Sequence, residues 1–209
     1  MSEPFVLSSG EIEALARGAV VRSFPKNAVV VNEGDRTDSL YLILAGKVKV
    51  FLSDEDGNEV TLGTQGAGEY FGEMVLDEGP RSASVMTLEP SRFAIVFKDQ
   101  FAAFLAAQPG FTLRLVRKLI SRTRALTDNV RSLALLDVYG RVARLLLELA
   151  VEQGGRRVIP EKLTQQDIAS RVGASREMVS LILKDLAAGG YISVSGKTIT
   201  VHREPPKHW

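Results

Sequence analysis

The sequence contains no cysteine. That absence excludes disulfides, thiolate zinc sites, cysteine-ligated iron–sulfur clusters and cysteine nucleophiles together, and it suits a reducing cytoplasm. Histidine is scarce, with only His202 and His208, both near the C-terminus. No histidine–carboxylate spacing for a metal and no nucleophile beside a base can be found, so an enzyme is not expected. No apolar run reaches the roughly 18 residues of a membrane span. The opening Met1–Pro4 carries acid and proline where a secretory signal needs basic residues before an apolar stretch. The expectation is a cytoplasmic chain without metal or membrane contact.

What is present is ordinary in amount and uneven in placement. The 209 residues are 45% hydrophobic and 24% charged, enough to fold as one large domain or two small ones. The net charge of +1 hides an asymmetry. Residues 1–137 hold 15 basic against 18 acidic side chains, net −3, and residues 138–209 hold 11 against 7, net +4. A basic portion of that size fits nucleic-acid binding, although on charge alone an uneven surface accounts for it equally well.

From Val20 to Phe97 the pattern is of short β segments: 28–31, 40–44, 48–52, 60–62, 82–87 and 93–97. Turn residues such as Gly34, Gly46, Gly57 and Pro90 separate them, and the spacing predicts a sandwich or barrel. After Lys98 the period becomes helical. Phe101, Phe104 and Leu105 mark a short helix that Pro109-Gly110 stops. Beyond it Val116, Leu119, Thr123, Leu126, Val130 and Leu133 repeat at 3, 4, 3, 4 and 3 residues, a heptad seam. Its polar flank, which includes Arg114, Lys118, Arg122 and Arg131, predicts a helix that pairs with a second copy of itself. A core helix would instead show a wider stripe of period 3.6. Asp137 breaks the seam, and a further helix is predicted over 138–152, ended by Gly154-Gly155. The expected domains are therefore 1–108, a β domain; 109–137, the pairing helix and a hinge; and 138–209, a basic domain.

Two motifs carry chemistry. Thr164-Gln165-Gln166-Asp167 has the form of a capping box, with Ile168, Ala169 and Val172 as the inward face of a short helix that ends at Gly173. Ser175 then caps a second helix in which Val179, Ile182, Leu183 and Leu186 bury one face. Glu177, Ser180, Leu181 and Lys184 lie on the other, and Arg176 lies at the N-terminal margin. A helix entering the major groove reads bases from such N-terminal residues. A hairpin at 191–201, with Lys197 beside its tip, completes a winged helix-turn-helix. The second motif is Phe71-Gly72-Glu73-Met74-Val75-Leu76-Asp77-Glu78-Gly79-Pro80-Arg81-Ser82-Ala83-Ser84-Val85. A glycine before a helical turn offers amides to an anion, Arg81 can bind phosphate through two hydrogen bonds, Ser82 adds a hydroxyl, and Glu73 can accept from a ribose hydroxyl. The competing reading is a surface Glu73–Arg81 ion pair. Gly66, Gly68 and Gly72 do not form a dinucleotide loop, because the spacing is wrong and no βαβ unit surrounds them.

The order of these motifs, FGEMVLDEGPRSASV, the long helix, LALLDVYGRVARLLLEL, TQQDIASRVGASREMVSLILKDL and ISVSGKTITV, resembles the cyclic-AMP receptor protein (CRP/FNR) family of bacterial transcription regulators over essentially the whole chain. The resemblance implies an α+β fold: an N-terminal cyclic-nucleotide-binding β-roll (double-stranded jelly roll), a long dimerisation helix and a C-terminal winged helix-turn-helix domain. It implies that Gly72 and Glu73 hold the ribose side, that Arg81 and Ser82 hold the cyclic phosphate, and that Arg122 lies near Glu73 and orients it. Leu126 and Thr127 would face the base. In the basic domain Arg176 and Glu177 would read bases, while Thr164, Ser175 and Lys197 would touch phosphates. Gln165, Gln166, Ser180, Leu181 and Lys184 complete the expected DNA face.

The function implied is an allosteric homodimer. Its effector is a cyclic nucleotide, foremost cyclic AMP, with cyclic GMP, cyclic di-GMP, another signal or no ligand as the alternatives. Its partners are pseudo-palindromic promoter DNA and RNA polymerase. Three features depart from the best-known cyclic-AMP binders: the shorter stretch between Glu73 and Arg81, Leu126 in place of a threonine, and Leu181 in place of an arginine. The last predicts altered base reading at one operator position, because leucine meets a thymine methyl where arginine prefers guanine.

Overall fold

The computed structural model describes residues 6–55, 57, 59–77, 79–196 and 198–206. The Met1–Pro4 stretch, residue 56 of the Asp54–Gly57 turn, Glu78 of the phosphate motif, Lys197 and His208 lie outside the described residues. The chain divides into two compact units. One runs to Asp54 and resumes from Thr61 to Arg124; the other takes Glu55–Val60 and continues from Ala125.

The first unit opens with α1 (Ser9–Ala16), a helix not anticipated from the sequence, closed at its start by a Ser8–Glu11 capping box. Eight strands follow: β1 (Val20–Phe24), β2 (Val29–Val31), β3 (Ser39–Ala45), β4 (Lys47–Ser53), β5 (Glu59–Gly66), β6 (Tyr70–Phe71), β7 (Ser84–Thr87) and β8 (Ser91–Phe97). They form two four-stranded sheets, β1-β8-β3-β6 and β2-β7-β4-β5. Alternation along β3 decides what each sheet face covers. Tyr41 and Ile43 point one way with Phe71 and Phe93, and meet Val31, Val48 and Val85 of the other sheet. Leu40 and Leu42 point the other way with Tyr70 and Val96, and are covered by α1, by α2 (Lys98–Ala107) and by the first turns of α3 (Pro109–Leu135).

Pro109 is the first residue of α3, where its missing N–H costs nothing and its fixed φ favours the turn. Phe111 and Leu115 pack on the sandwich, and Lys118 and Arg122 continue that stripe. The heptad positions Val116, Leu119, Thr123, Leu126, Val130 and Leu133 are all exposed. The same helix therefore carries a narrow stripe for its own unit and a separate apolar seam that is left open.

The second unit holds α4 (Val138–Leu149), β9 (Val151–Gln153), β10 (Arg156–Ile159), α5 (Gln165–Val172), α6 (Arg176–Ala188), β11 (Ile192–Ser195) and β12 (Thr198–Val201), with sheet order β11-β12-β10-β9. Asp137 caps α4 by accepting the Gly140 N–H at 2.7 Å. The helix stops at Leu149 rather than running to residue 152. Val151 instead opens a hairpin whose turn is Gly154-Gly155, both at positive φ. The core joins Val142, Leu146, Ile159, Ile168, Ala169, Val179 and Leu186.

Candidate functional site

Arg81 is a buried cation of the first unit, only 7% exposed. Its Nη1 donates to the Gly72 carbonyl at 3.1 Å, and Nη2 donates to Thr37 Oγ1 and to the Ser39 carbonyl. Its Nε has no partner, and no carboxylate forms an ion pair with it among the described residues. Burial pulls its pKa below the ordinary arginine value. The guanidinium lies 6.0 Å from the centre of the Tyr41 ring, on the side of β3 that faces the other sheet. Gly72 is required there: its φ is +85°, and a Cβ would stand 2.5 Å from Arg81 Nη1.

Glu73, at the start of a 3-10 turn (Glu73–Asp77), is buried, and it accepts from Arg122 of α3 rather than from Arg81. The surface Glu73–Arg81 pair considered from sequence is therefore not formed. Arg122 does meet Glu73, as the resemblance implied. Ser82 is exposed, and its hydroxyl donates to Met74 Sδ at 3.1 Å. The structure thus gathers Gly72, Glu73, Arg81, Ser82 and Arg122 in one unit. Leu126 and Thr127 are exposed on the part of α3 that belongs with the second unit.

Lys118 belongs by sequence to the polar flank, but its side chain is largely buried. Its Nζ lies 4.1 Å from the centre of the Tyr70 ring and 3.9 Å from Glu69 Oε1. Burial first, then repulsion from Arg122, lowers its pKa to about 8, while Glu69 and Glu73 pull the other way. Tyr70 is pushed up, by burial first and then by Glu73. No sequence signal separates Lys118 from its exposed neighbours except its place one turn beyond Leu115. Thr37 and Ser39, which hold Arg81, carry no signal at all.

In the second unit the helix pair is built as its caps predict. Thr164 Oγ1 accepts the Asp167 N–H at 3.1 Å, Asp167 Oδ2 accepts the Thr164 N–H at 2.7 Å, and Ser175 Oγ accepts from Met178 at 3.2 Å. Val179, Ile182, Leu183 and Leu186 are buried. Thr164, Gln166, Ser175, Arg176, Glu177, Leu181 and Lys184 are exposed, while Gln165 and Ser180 are half-buried. Leu181 is 56% exposed. Arg141 of α4 is a positioning residue that sequence reasoning missed. It donates to Val172 and Gly173, the last carbonyls of α5, at 2.8 and 3.2 Å, and to Leu136 at 3.0 Å.

Comparison with known proteins decides the family. A cyclic nucleotide-binding domain matches residues 21–108, and a Crp-like helix-turn-helix domain matches residues 140–205. The CRP-like cAMP-activated global transcriptional regulator of Mycobacterium tuberculosis is 37% identical over 195 residues, 91% of this chain and 87% of that one. The chain belongs to the CRP/FNR family. The cAMP-activated global transcriptional regulator CRP of Salmonella typhimurium is 35% identical over 87% of this chain and 89% of its own. Among solved structures, the c-di-GMP responsive global regulator CLP of Xanthomonas campestris superposes with a TM-score of 0.79 at 28% identity, covering 94% of this chain and 100% of that one. As a CRP/FNR protein the chain is a DNA-binding transcription regulator with a cyclic nucleotide-binding domain, of a family that is not enzymatic. Its α+β order of sandwich, long helix and helix-turn-helix is the family's. Among the described residues no helix is long and apolar enough to cross a membrane.

Proposed function

We propose that this CRP/FNR protein is a cytoplasmic homodimeric regulator whose binding to promoter DNA is controlled by a cyclic nucleotide, foremost cyclic AMP. The observation that carries the reading is Arg81: a buried guanidinium whose Nε is unpartnered and which has no carboxylate partner among the described residues is a cation that calls for an anion. Arg81 and Ser82 would take the cyclic phosphate, and Gly72 and Glu73 the ribose side. Arg122 fixes the Glu73 carboxylate, and Leu126 and Thr127 would meet the base. The cAMP-activated relatives support cyclic AMP. Likeness to a c-di-GMP responsive regulator supports cyclic di-GMP as the second reading.

The working domains are 1–108, 109–137 and 138–209. The exposed seam from Val116 to Leu133 would join two copies. Only a nucleotide that binds one dimer arrangement better than the other can shift their balance, and the joint at Asp137 would carry the change to the DNA domains. Two α6 helices about 34 Å apart would enter successive major grooves. Arg176, Glu177, Ser180, Leu181 and Lys184 would face bases. Thr164, Gln165, Gln166, Ser175 and Lys197 would face the backbone, with RNA polymerase as the further partner. The test is calorimetric titration with cyclic AMP, cyclic GMP and cyclic di-GMP. One nucleotide should bind, and Arg81→Ala should abolish it; failure of all three to bind refutes the reading.

A further inference from the structure

A guanidinium has five N–H donors, one on Nε and two on each Nη. It can grip two oxygens of one anion side by side in two ways, through Nε with Nη2 or through Nη1 with Nη2. Either way needs an Nη2 hydrogen. In Arg81 both are engaged, one by Thr37 Oγ1 and one by the Ser39 carbonyl. Nη1 gives one of its two to the Gly72 carbonyl. The donors left over, Nε–H and one on Nη1, do not lie side by side.

A phosphate that takes a two-point grip on Arg81 must therefore win an Nη2 hydrogen from Ser39 or from Thr37. The two differ in how easily they let go. Ser39 lies in β3, in register with Phe97 of β8, so its carbonyl turns only if the strand does. Thr37 is exposed on the loop between β2 and β3, and its hydroxyl swings away by rotation about one side-chain bond. The backbone of that loop is fixed to the phosphate motif. Gly34 N–H donates to the Arg81 carbonyl and Arg81 N–H to the Asp35 carbonyl, both at 2.8 Å, and Glu33 N–H donates to Ser84 Oγ at 3.0 Å. The loop thus presents a movable hydroxyl to Arg81 from an anchored main chain.

We propose that the Thr37 hydroxyl is a plug on the anion grip of Arg81, displaced when a phosphate binds, which makes Thr37 an affinity-setting residue of the effector site. The proposal rests on the cyclic-nucleotide reading of that site. A neutral hydroxyl gives way to a charged phosphate oxygen because the bond between two charged partners is the stronger. A ligand with one neutral acceptor gains nothing by the exchange, so the plug favours anions that carry two oxygens on one centre.

The test measures affinity and melting temperature in wild type, Thr37→Val and Thr37→Ser, with Arg81→Ala as the control for the site. Each is titrated by calorimetry with cyclic AMP, cyclic GMP and cyclic di-GMP, and each is melted without nucleotide. Valine keeps the shape of threonine and removes the hydroxyl. Thr37→Val should bind the wild-type nucleotide about tenfold more tightly, the worth of one hydrogen bond to a charged group. It should also melt lower, because Arg81 has lost an acceptor. Thr37→Ser returns the hydroxyl and should return both values toward wild type. A residue that merely props Arg81 in place would lower affinity and melting temperature together. A Thr37→Val protein that binds no more tightly than wild type overturns the proposal while the cyclic-nucleotide reading stands. Tighter binding shared equally by Thr37→Ser also overturns it, because the hydroxyl is then not the cause. Binding of no nucleotide to wild type or to Thr37→Val overturns both readings.

Discussion

Removing Arg122 should destabilise the first unit through Glu73, and a double-mutant cycle can isolate the effect. Glu73 is buried, and among the described residues its side chain is hydrogen-bonded only to Arg122, whose side chain is 38% exposed. Stripping a fully buried ion pair of one member costs about 3–5 kcal/mol. Because water screens the exposed side of Arg122, about 2 kcal/mol is the fitting figure for Arg122→Ala. At this chain length it corresponds to a melting shift of about 4–8 °C. Glu73→Gln removes the buried charge and leaves an arginine that water can solvate, so it should cost about 1 kcal/mol or less. In the double variant no carboxylate is left stranded, and its cost should stay near about 1 kcal/mol. Urea melts of the four proteins should therefore give a coupling of about 1–2 kcal/mol. A coupling under about 0.3 kcal/mol would show that the pair does not hold Glu73, and would refute its assigned role in orienting the carboxylate.

Lys118 binds its proton less tightly in the folded chain than in the unfolded one, about 8 against 10.5. Between those values the unfolded state holds more protons, so stability should rise with pH from about 8 to about 10.5, by at most about 3 kcal/mol. Subtracting the pH profile of Lys118→Met from that of wild type should reveal this rise, and identical profiles would refute it. At the DNA face, Leu181→Arg should shift the sequences selected from random DNA toward guanine at one position of each half-site; an unchanged selection would remove Leu181 from the reading set. Val130, 65% exposed in the seam, should be intolerant of charge, so wild type should sediment as a dimer and Val130→Glu as a monomer. Equal sedimentation of the two would move the pairing surface elsewhere.

The parts of the fold legible in the sequence are those that repeat a period or carry a cap. The heptads of α3 and the side-chain-capped helices α5 and α6 are examples. The β9–β10 hairpin was not legible, because Val151-Glu152-Gln153 is a three-residue strand with every position exposed and no alternation to notice. At the site, Arg81 and Glu73 could be named because charged residues beside a glycine turn are conspicuous. Their seats could not. Thr37 is one hydroxyl among many, and Ser39 contributes a peptide oxygen that any residue would supply. Lys118 shows the limit from the other side. In sequence it is one of several cations along α3, and only the packing of Leu115 and Tyr70 turns it inward.

Two of the three acceptors around Arg81 are main-chain carbonyls, those of Gly72 and Ser39. No codon change erases a peptide oxygen, so this anchor is insulated from drift in the side chains around it. Position 82, whose hydroxyl donates to Met74 rather than to Arg81, is free to vary while the cation stays in place. If Arg81 grips the phosphate of the effector as proposed, a lineage built this way can trade one anionic messenger for another by a few substitutions around it, without rebuilding the anchor.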